Sequence, residues 1–153
     1  MSEPMAKSYL ASAVCYQDPK AALRWLEEAF GFEPSMVILG QDGELMHSEM
    51  RFGDSIIMIG NEWSEHHASP KSIGGKNTQT MHVQMTSGID EHCERARKAG
   101  AAILQEPTTQ FYGDRGYRAR DPESHIWTFG QTVEVMSRED WDKAGGVATR
   151  TRL

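Results

Sequence analysis

The sequence predicts an α+β domain made of two copies of one strand–helix–strand–strand–strand (βαβββ) unit, and three observations predict it. Two amphipathic segments run into glycine in the same way, LEEAFGFE and then ARKAGAAI about 70 residues later. Gly53-Asp54 is a two-residue turn between two apolar-rich segments of strand length. Residues 111–131, FYGDRGYRARDPESHIWTFGQ, read as a second hairpin that closes a sheet. A unit this small cannot bury its own sheet face, so the two copies pack together.

Taken in order, Tyr9 to Tyr16 (YLASAVCY) is apolar and bounded by Gln17-Asp18-Pro19, the pattern of a buried strand. Asp18 caps the next helix, with Pro19 at its first position, where a missing N–H loses no bond. Over Lys20 to Phe30, the residues Ala22, Leu23, Leu26, Ala29 and Phe30 form one stripe at helical spacing. Gly31 ends that helix as a left-handed cap. Trp25 lies off the stripe and marks an interface or the partner sheet. Phe32 to Leu39, Glu44 to Phe52 and Ser55 to Gly60 follow as strands, separated by turns at Gln41-Asp42-Gly43 and Gly53-Asp54.

Asn61 to Asn77 is a polar connector containing glycine and proline, and then the order repeats. Thr80 to Thr86 is a strand, Ile89 to Ala99 a helix stopped by Gly100, and Ala101 to Gln105 a short strand. Arg115 to Arg120 and His125 to Gln131 are the last two, joined by the Asp121-Pro122-Glu123-Ser124 turn. Ser137 to Lys143 is a tail helix that opens on a capping box, Ser137 with Asp140. Met1 to Lys7 reads as frayed and Val147 to Leu153 as loose. One domain is expected over 1–136, with module one at about 8–60, a connector at 61–78 and module two at about 79–131; a helix and tail take up 137–153.

Composition narrows the function classes. With 153 residues, 39% hydrophobic and 25% charged, the chain can bury a sizeable core. A formal net charge of −6 offers no basic footprint for a nucleic acid or an anionic membrane surface. Cys15 and Cys93 lack CxxC spacing and read as free thiols in a reducing compartment. There is no apolar signal segment at the start and no run of roughly 18 apolar residues, so the expected location is the cytoplasm.

Three stretches then carry a resemblance. DPKAALRWLEEAFGFE, HSEMRFGDSIIMIG and YGDRGYRARDPESHIWTFGQ resemble the vicinal-oxygen-chelate superfamily, in its small glyoxalase/bleomycin-resistance-like and PhnB-like members. The likeness spans about Tyr9 to Gln131 and departs at Ser124, where the common DPEGH turn has glycine. It implies two βαβββ modules whose sheets curl into a half-open barrel around a small-molecule cavity, and a homodimer. Most enzymes of that superfamily hold a divalent metal with four His, Gln or Glu side chains, one from each of four strands. By the resemblance those positions fall at Ala11, Met58, Thr128 and either Thr80 or Met81, with His82 one or two residues away. The expectation is therefore no metal and no cofactor.

Strand pairing supplies the candidate site. The Gly53-Asp54 turn pairs Phe52 with Ser55, Met50 with Ile57 and Glu49 with Met58, and cross-strand partners point the same way. Met58 stands at a cavity-facing position of the resembled family, so His47, Glu49 and Arg51 face that cavity too, while Met50, Phe52, Ile57 and Ile59 face the helix. In module two, if Thr128 faces the cavity then Arg118 and Arg120 do as well, with Tyr117, Trp127 and Phe129 turned inward. The candidate ligand-binding set is His47, Glu49, Arg51, Met58, Trp63, His82, Arg118 and Thr128.

Each has a plainer alternative. His47 and Glu49 also fit a solvated strand face, His125 reads as a turn-stabilising side chain, and Arg115 reads as the structural partner of Asp114. Trp63, His66 and His67 make the connector a candidate lid. The strand methionines, among them Met36, Met46 and Met58, either line an adaptable pocket or fill core gaps. Two function classes remain. One is a metal-independent protein that binds a small aromatic or amphipathic molecule, as bleomycin-resistance-like members do. The other is a glyoxalase- or dioxygenase-like lyase or isomerase with an atypical or metal-free site, in which His47 and Glu49 act as acid and base.

Overall fold

The computed structural model describes residues 10–153. The readings of Met1 to Lys7 and of Tyr9 fall outside the described residues. In chain order the elements are β1 (Ser12–Tyr16), α1 (Pro19–Phe30), β2 (Glu33–Leu39), β3 (Leu45–Phe52), β4 (Ser55–Asn61), β5 (Met81–Met85), α2 (Ile89–Lys98), β6 (Ala102–Thr109), β7 (Asp114–Arg120), β8 (Ile126–Thr132) and α3 (Arg138–Gly145). A single 3-10 turn, Pro70–Ile73, interrupts the connector. No described helix is long and apolar enough to cross a membrane.

Two four-stranded sheets form, in the orders β1-β4-β3-β2 and β5-β8-β7-β6. Each has one parallel pair, β1 with β4 and β5 with β8, and antiparallel pairs elsewhere. The duplication is therefore register-true. Ala13, Met58 and Glu49 lie in one row of the first sheet, and His82, Thr128 and Arg118 in the matching row of the second. β6 runs on to Thr109, past the Gln105 end the sequence suggests. It is an edge strand whose pairing resumes after a bulge, so Pro107 removes no ladder bond that the sheet needs.

Helix boundaries follow the capping chemistry. Asp18 accepts a bond from Ala21 N at 3.1 Å, and Gly31 closes α1 at φ 78°. Ser137 accepts from Asp140 N at 3.1 Å at the start of α3. The inner faces of both sheets and both long helices share one core, whose centre is aromatic. Phe30 of α1 reaches across to Phe129 (ring centroids 4.6 Å) and Trp127 (5.5 Å), and Phe32 meets Trp127 at 5.4 Å. The two helices also cap one another. Arg95 of α2 donates to the Glu27 and Glu28 carbonyls at the end of α1, and Trp25 Nε1 of α1 donates 2.8 Å to the Ala99 carbonyl at the end of α2. Carbonyls at a helix end are short of internal partners; of these three, Glu27 also accepts from the Gly31 N–H that caps α1. Trp25, off the apolar stripe, thus meets the other module's helix.

The Asp121–Ser124 turn ties module two to module one. Asp121, buried, accepts from Tyr16 Oη (2.6 Å), Trp127 Nε1 (3.1 Å) and the backbone N–H groups of Glu123 and His125. Glu123, also buried, accepts from the N–H groups of Gln17 (2.6 Å) and Asp18 (3.0 Å) and from Ser69 Oγ (2.7 Å). The His125 side chain leaves the turn and reaches module one, with Nε2 2.6 Å from the Cys15 carbonyl oxygen. Arg115 does not pair with Asp114. Successive strand residues point to opposite faces, so Arg115 grips Asp90 at 2.9 Å while Asp114 accepts from Thr132 Oγ1 at 2.8 Å.

Candidate functional site

Strands leave one face of each sheet turned away from the shared core, and every strand-borne candidate lies on these open faces. In the first sheet, Glu49 pairs with Met58, Met50 with Ile57 and Phe52 with Ser55. Met50 is fully buried under the helix, whereas His47, Glu49, Arg51 and Met58 share the opposite face. His47 Nε2 lies 3.2 Å from Glu49 Oε1, and Glu49 is only 4% exposed although it belongs to the open face. A bulge opposite Ile38 and Leu39 leaves Met46 as an extra residue. It re-aims that side chain, as bulges do, so Met46 joins His47 and Met58 in lining a depression of about 420 Å³.

The connector forms one wall of this depression. Trp63 is 71% exposed and stacks on the His67 ring at 4.2 Å. His67 is held by Ser64, whose Oγ lies 2.6 Å from Nδ1. His66 points outward, 81% exposed beside Glu65. Arg51 does not line the depression. Its Nη1 is buried without a hydrogen-bond partner.

In the second sheet His82 pairs with Thr128, and Thr128 with Arg118, whose Nε donates to Thr128 Oγ1 at 3.3 Å. The register of His82 follows from this: Met81 enters the core and His82 shares the open face. Tyr117, Trp127 and Phe129 are buried on the inner side. A depression of about 340 Å³ is lined by His82, Arg118 and Thr128 together with Gln105, Tyr112 and Asp114. A third hollow, about 840 Å³, runs between the β1 and β5 edges and takes in Ala11, Ile56, Thr80 and His82.

The eight candidates therefore fall into two groups. His47, Glu49, Met58 and Trp63 gather on one sheet, with Arg51 to the side, and His82, Arg118 and Thr128 gather on the other. None of these hollows is lined by both groups. None of these three hollows combines a His, a Glu and an Arg, because both sheets spend their inner faces on the common core. Sequence reading missed Gln105 and Tyr112 as lining residues, and for Met46 it left pocket and core both open. No propensity signal distinguishes a bulged Met46 from a regular one.

The superfamily's metal can be tested against these side chains. Ala13, rather than Ala11, is the β1 residue opposite Met58. The two rows thus present Ala13, Met58, His82 and Thr128, a single imidazole where three or four nitrogen and carboxylate donors are needed. Among the described residues no group of three His, Cys, Asp or Glu side chains converges. The open faces do not fit that metal. Nor do they offer a thiolate, since burial pushes the Cys15 thiol up to about 11, with Glu62 and Glu123 adding to the shift.

Comparison with known proteins agrees with this architecture. A family model described as the Glyoxalase/Bleomycin resistance protein/Dioxygenase superfamily matches residues 9–129. An uncharacterised protein of Mycobacterium bovis is 27% identical over 135 residues, covering 86% of this chain and 88% of its own. The crystal structure of TioX from Micromonospora sp. ML1 superposes with a TM-score of 0.63 at 28% identity, covering 82% of this chain and 98% of that one. A superfamily member from Sphaerobacter thermophilus shares the fold alone, with a TM-score of 0.62 at 16% identity over 84% of this chain and 99% of its own. The chain belongs to the glyoxalase/bleomycin resistance protein/dioxygenase superfamily.

Proposed function

We propose that this protein binds a small aromatic or amphipathic molecule on its open sheet faces, in the cytoplasm, without a metal and as a homodimer. The observation that carries this is the first sheet's open face. Met46 and Met58 line an apolar hollow of about 420 Å³, walled by the exposed Trp63 indole, and His47, which also lines it, lies 3.2 Å from the buried Glu49. Methionine side chains adapt to varied apolar shapes, and an exposed aromatic wall suits a flat ligand. Homodimerisation has separate support in β2, an edge strand exposed along its whole length, with Met36, Val37, Ile38 and Leu39 among its residues. Such an edge asks for cover.

Native mass spectrometry with elemental analysis of the purified protein tests all of this together. The expected result is a two-chain mass, no stoichiometric Fe, Mn, Ni or Zn, and retention of an added aromatic probe, an anilinonaphthalene sulfonate. About one tightly held metal per chain, with a melting temperature that drops on chelation, sinks the metal-free part. A one-chain mass at micromolar concentration sinks the dimer.

One pair of residues supports a second class, a metal-free lyase or isomerase. A carboxylate that is 4% exposed and 3.2 Å from an imidazole has the layout of an acid–base pair. Turnover of a bound compound that disappears in His47→Ala supports the enzyme, whereas recovery of that compound unchanged supports binding alone.

A further inference from the structure

We infer that the open face of the second sheet holds an organic anion, a carboxylate or a phosphate ester, with Arg118 as its principal contact. This rests on the proposal that the open faces bind a small molecule, and it names the chemistry of one of them.

The warrant is what module two does with its arginines. Arg97 pairs with Glu106 at 2.6 Å, Arg115 with Asp90 at 2.9 Å, and Arg95 caps α1. Arg118 and Arg120 lie on one face of β7, and neither has a carboxylate within ion-pairing distance among the described residues. The chain holds 22 acidic against 16 basic residues, so two unpaired guanidinium groups on one face do not reflect a shortage of acids. Residues two apart on a strand lie about 7 Å apart on the same side, close enough for like charges to repel. Of the two, only Arg118 lines the hollow, and an anion bound there offsets its charge directly.

The surroundings orient Arg118 toward the hollow and hold one carboxylate, Asp114, whose negative charge an anion must meet beside Arg118. Arg118 Nε is engaged by Thr128 Oγ1 at 3.3 Å, which orients the guanidinium and leaves both terminal nitrogens for a two-pronged grip on a carboxylate or phosphate. Gln105, Tyr112 and His82 line the same hollow and carry further donors. Asp114 is the one acid in the lining, and both its oxygens are taken, by Thr132 Oγ1 at 2.8 Å and by Gln84 Nε2 at 3.3 Å. Gly116 and Gly130 lie two residues from Arg118 and Thr128 on the same face, and the side chains of His82 and Gln84 lie over Gly130. The volume, about 340 Å³, lies within the range of small-molecule pockets. Arg120 Nε is buried without a partner.

Two dyes that share their rings but differ in charge isolate this contact: 8-anilinonaphthalene-1-sulfonate and the uncharged N-phenyl-1-naphthylamine. The wild type is expected to bind the sulfonate roughly 10- to 100-fold tighter, the worth of a charged hydrogen-bonded contact. Arg118→Gln should abolish that preference and leave the neutral dye unaffected, with circular dichroism confirming the fold. If that variant does not fold, rising ionic strength on the wild type makes the same separation, weakening only the sulfonate. Displacement of the sulfonate by benzoate or by inorganic phosphate then separates the two anion classes. Equal affinity of the wild type for the two dyes overturns the anion assignment while leaving small-molecule binding standing. Failure of both dyes to bind overturns both.

Discussion

The two modules repeat one scaffold and oppose each other in chemistry. Their strand orders and registers match, so that Glu49 and Arg118 occupy the same place, each opposite a central-strand residue, Met58 or Thr128. In the first module that place holds a buried carboxylate among methionines, and in the second an exposed guanidinium among hydrogen-bonding side chains. The inner faces differ little in kind: both are apolar and feed one core. The lesson is that packing constrains only the helix-facing half of each strand. The outward half is left free for two copies of a unit to acquire opposite charge on the same backbone.

The largest test of that division is to cut into the shared half. Phe30→Ala should cost about 3–5 kcal/mol, as aromatic truncations in a packed core do. Met58→Ala, half-buried on the open face, should cost about 1 kcal/mol or less. Urea unfolding should show one transition for both variants. Two transitions in Phe30→Ala would mean that the modules are separable and the core is not common.

Next comes the turn that joins the modules. Glu123→Gln keeps one acceptor oxygen but turns an NH₂ group toward either the Asp18 N–H or the Gln17 N–H and Ser69 Oγ, and should cost about 1–3 kcal/mol in the same urea measurement. An unchanged midpoint would show that the link between modules rests on the aromatic core alone.

Protonation offers a third test, through His92 of α2. One ring nitrogen is 2.8 Å from the Phe30 carbonyl oxygen and the other 2.6 Å from Tyr117 Oη. Burial holds its pKa below the ordinary 6.5, with Arg95 adding to the shift against the opposing bond to Phe30. A folded-state pKa below the unfolded one means that this contribution to stability is complete above pH 6.5. It is lost as the pH falls toward the folded value. The stability difference between wild type and His92→Gln should therefore shrink on acidification. A difference that stays level with pH would contradict the buried neutral imidazole.

The smallest effect is the most local. Ser124 is the one described non-glycine residue in the left-handed region, at φ 72°, whereas the corresponding hairpin of module one has Gly53 at φ 56°. Ser124→Gly should stabilise by about 0.5–1 kcal/mol, the relief of left-handed strain less the added freedom of the unfolded chain. A lower melting temperature would mean that the serine hydroxyl stabilises more than the backbone strain costs.

Several features were legible in the residues themselves because short-range physics dictates them. Asp18, Pro19 and Gly31 bound α1 through capping, Gly53-Asp54 set the β3–β4 register, and that register put His47, Glu49 and Met58 on one face. The inward direction of Trp127 followed from simple alternation along its strand. Other features were not legible. Arg115 chose Asp90, 25 residues away, over its neighbour Asp114. A bulge moved Met46 to the open face, and Trp63 found His67 in a connector without periodicity.

Local sequence by itself determined the elements, their ends and which side of each strand is apolar, since caps, turns and the two-residue alternation act over a few residues. Only the tertiary structure decided that the two open faces of one chain stay apart. That outcome depends on how two sheets share a core through Phe30, Phe32, Trp127 and Phe129. Contacts of that kind link residues about 100 positions apart, and no local pattern encodes on which side of the common core each remaining face will lie.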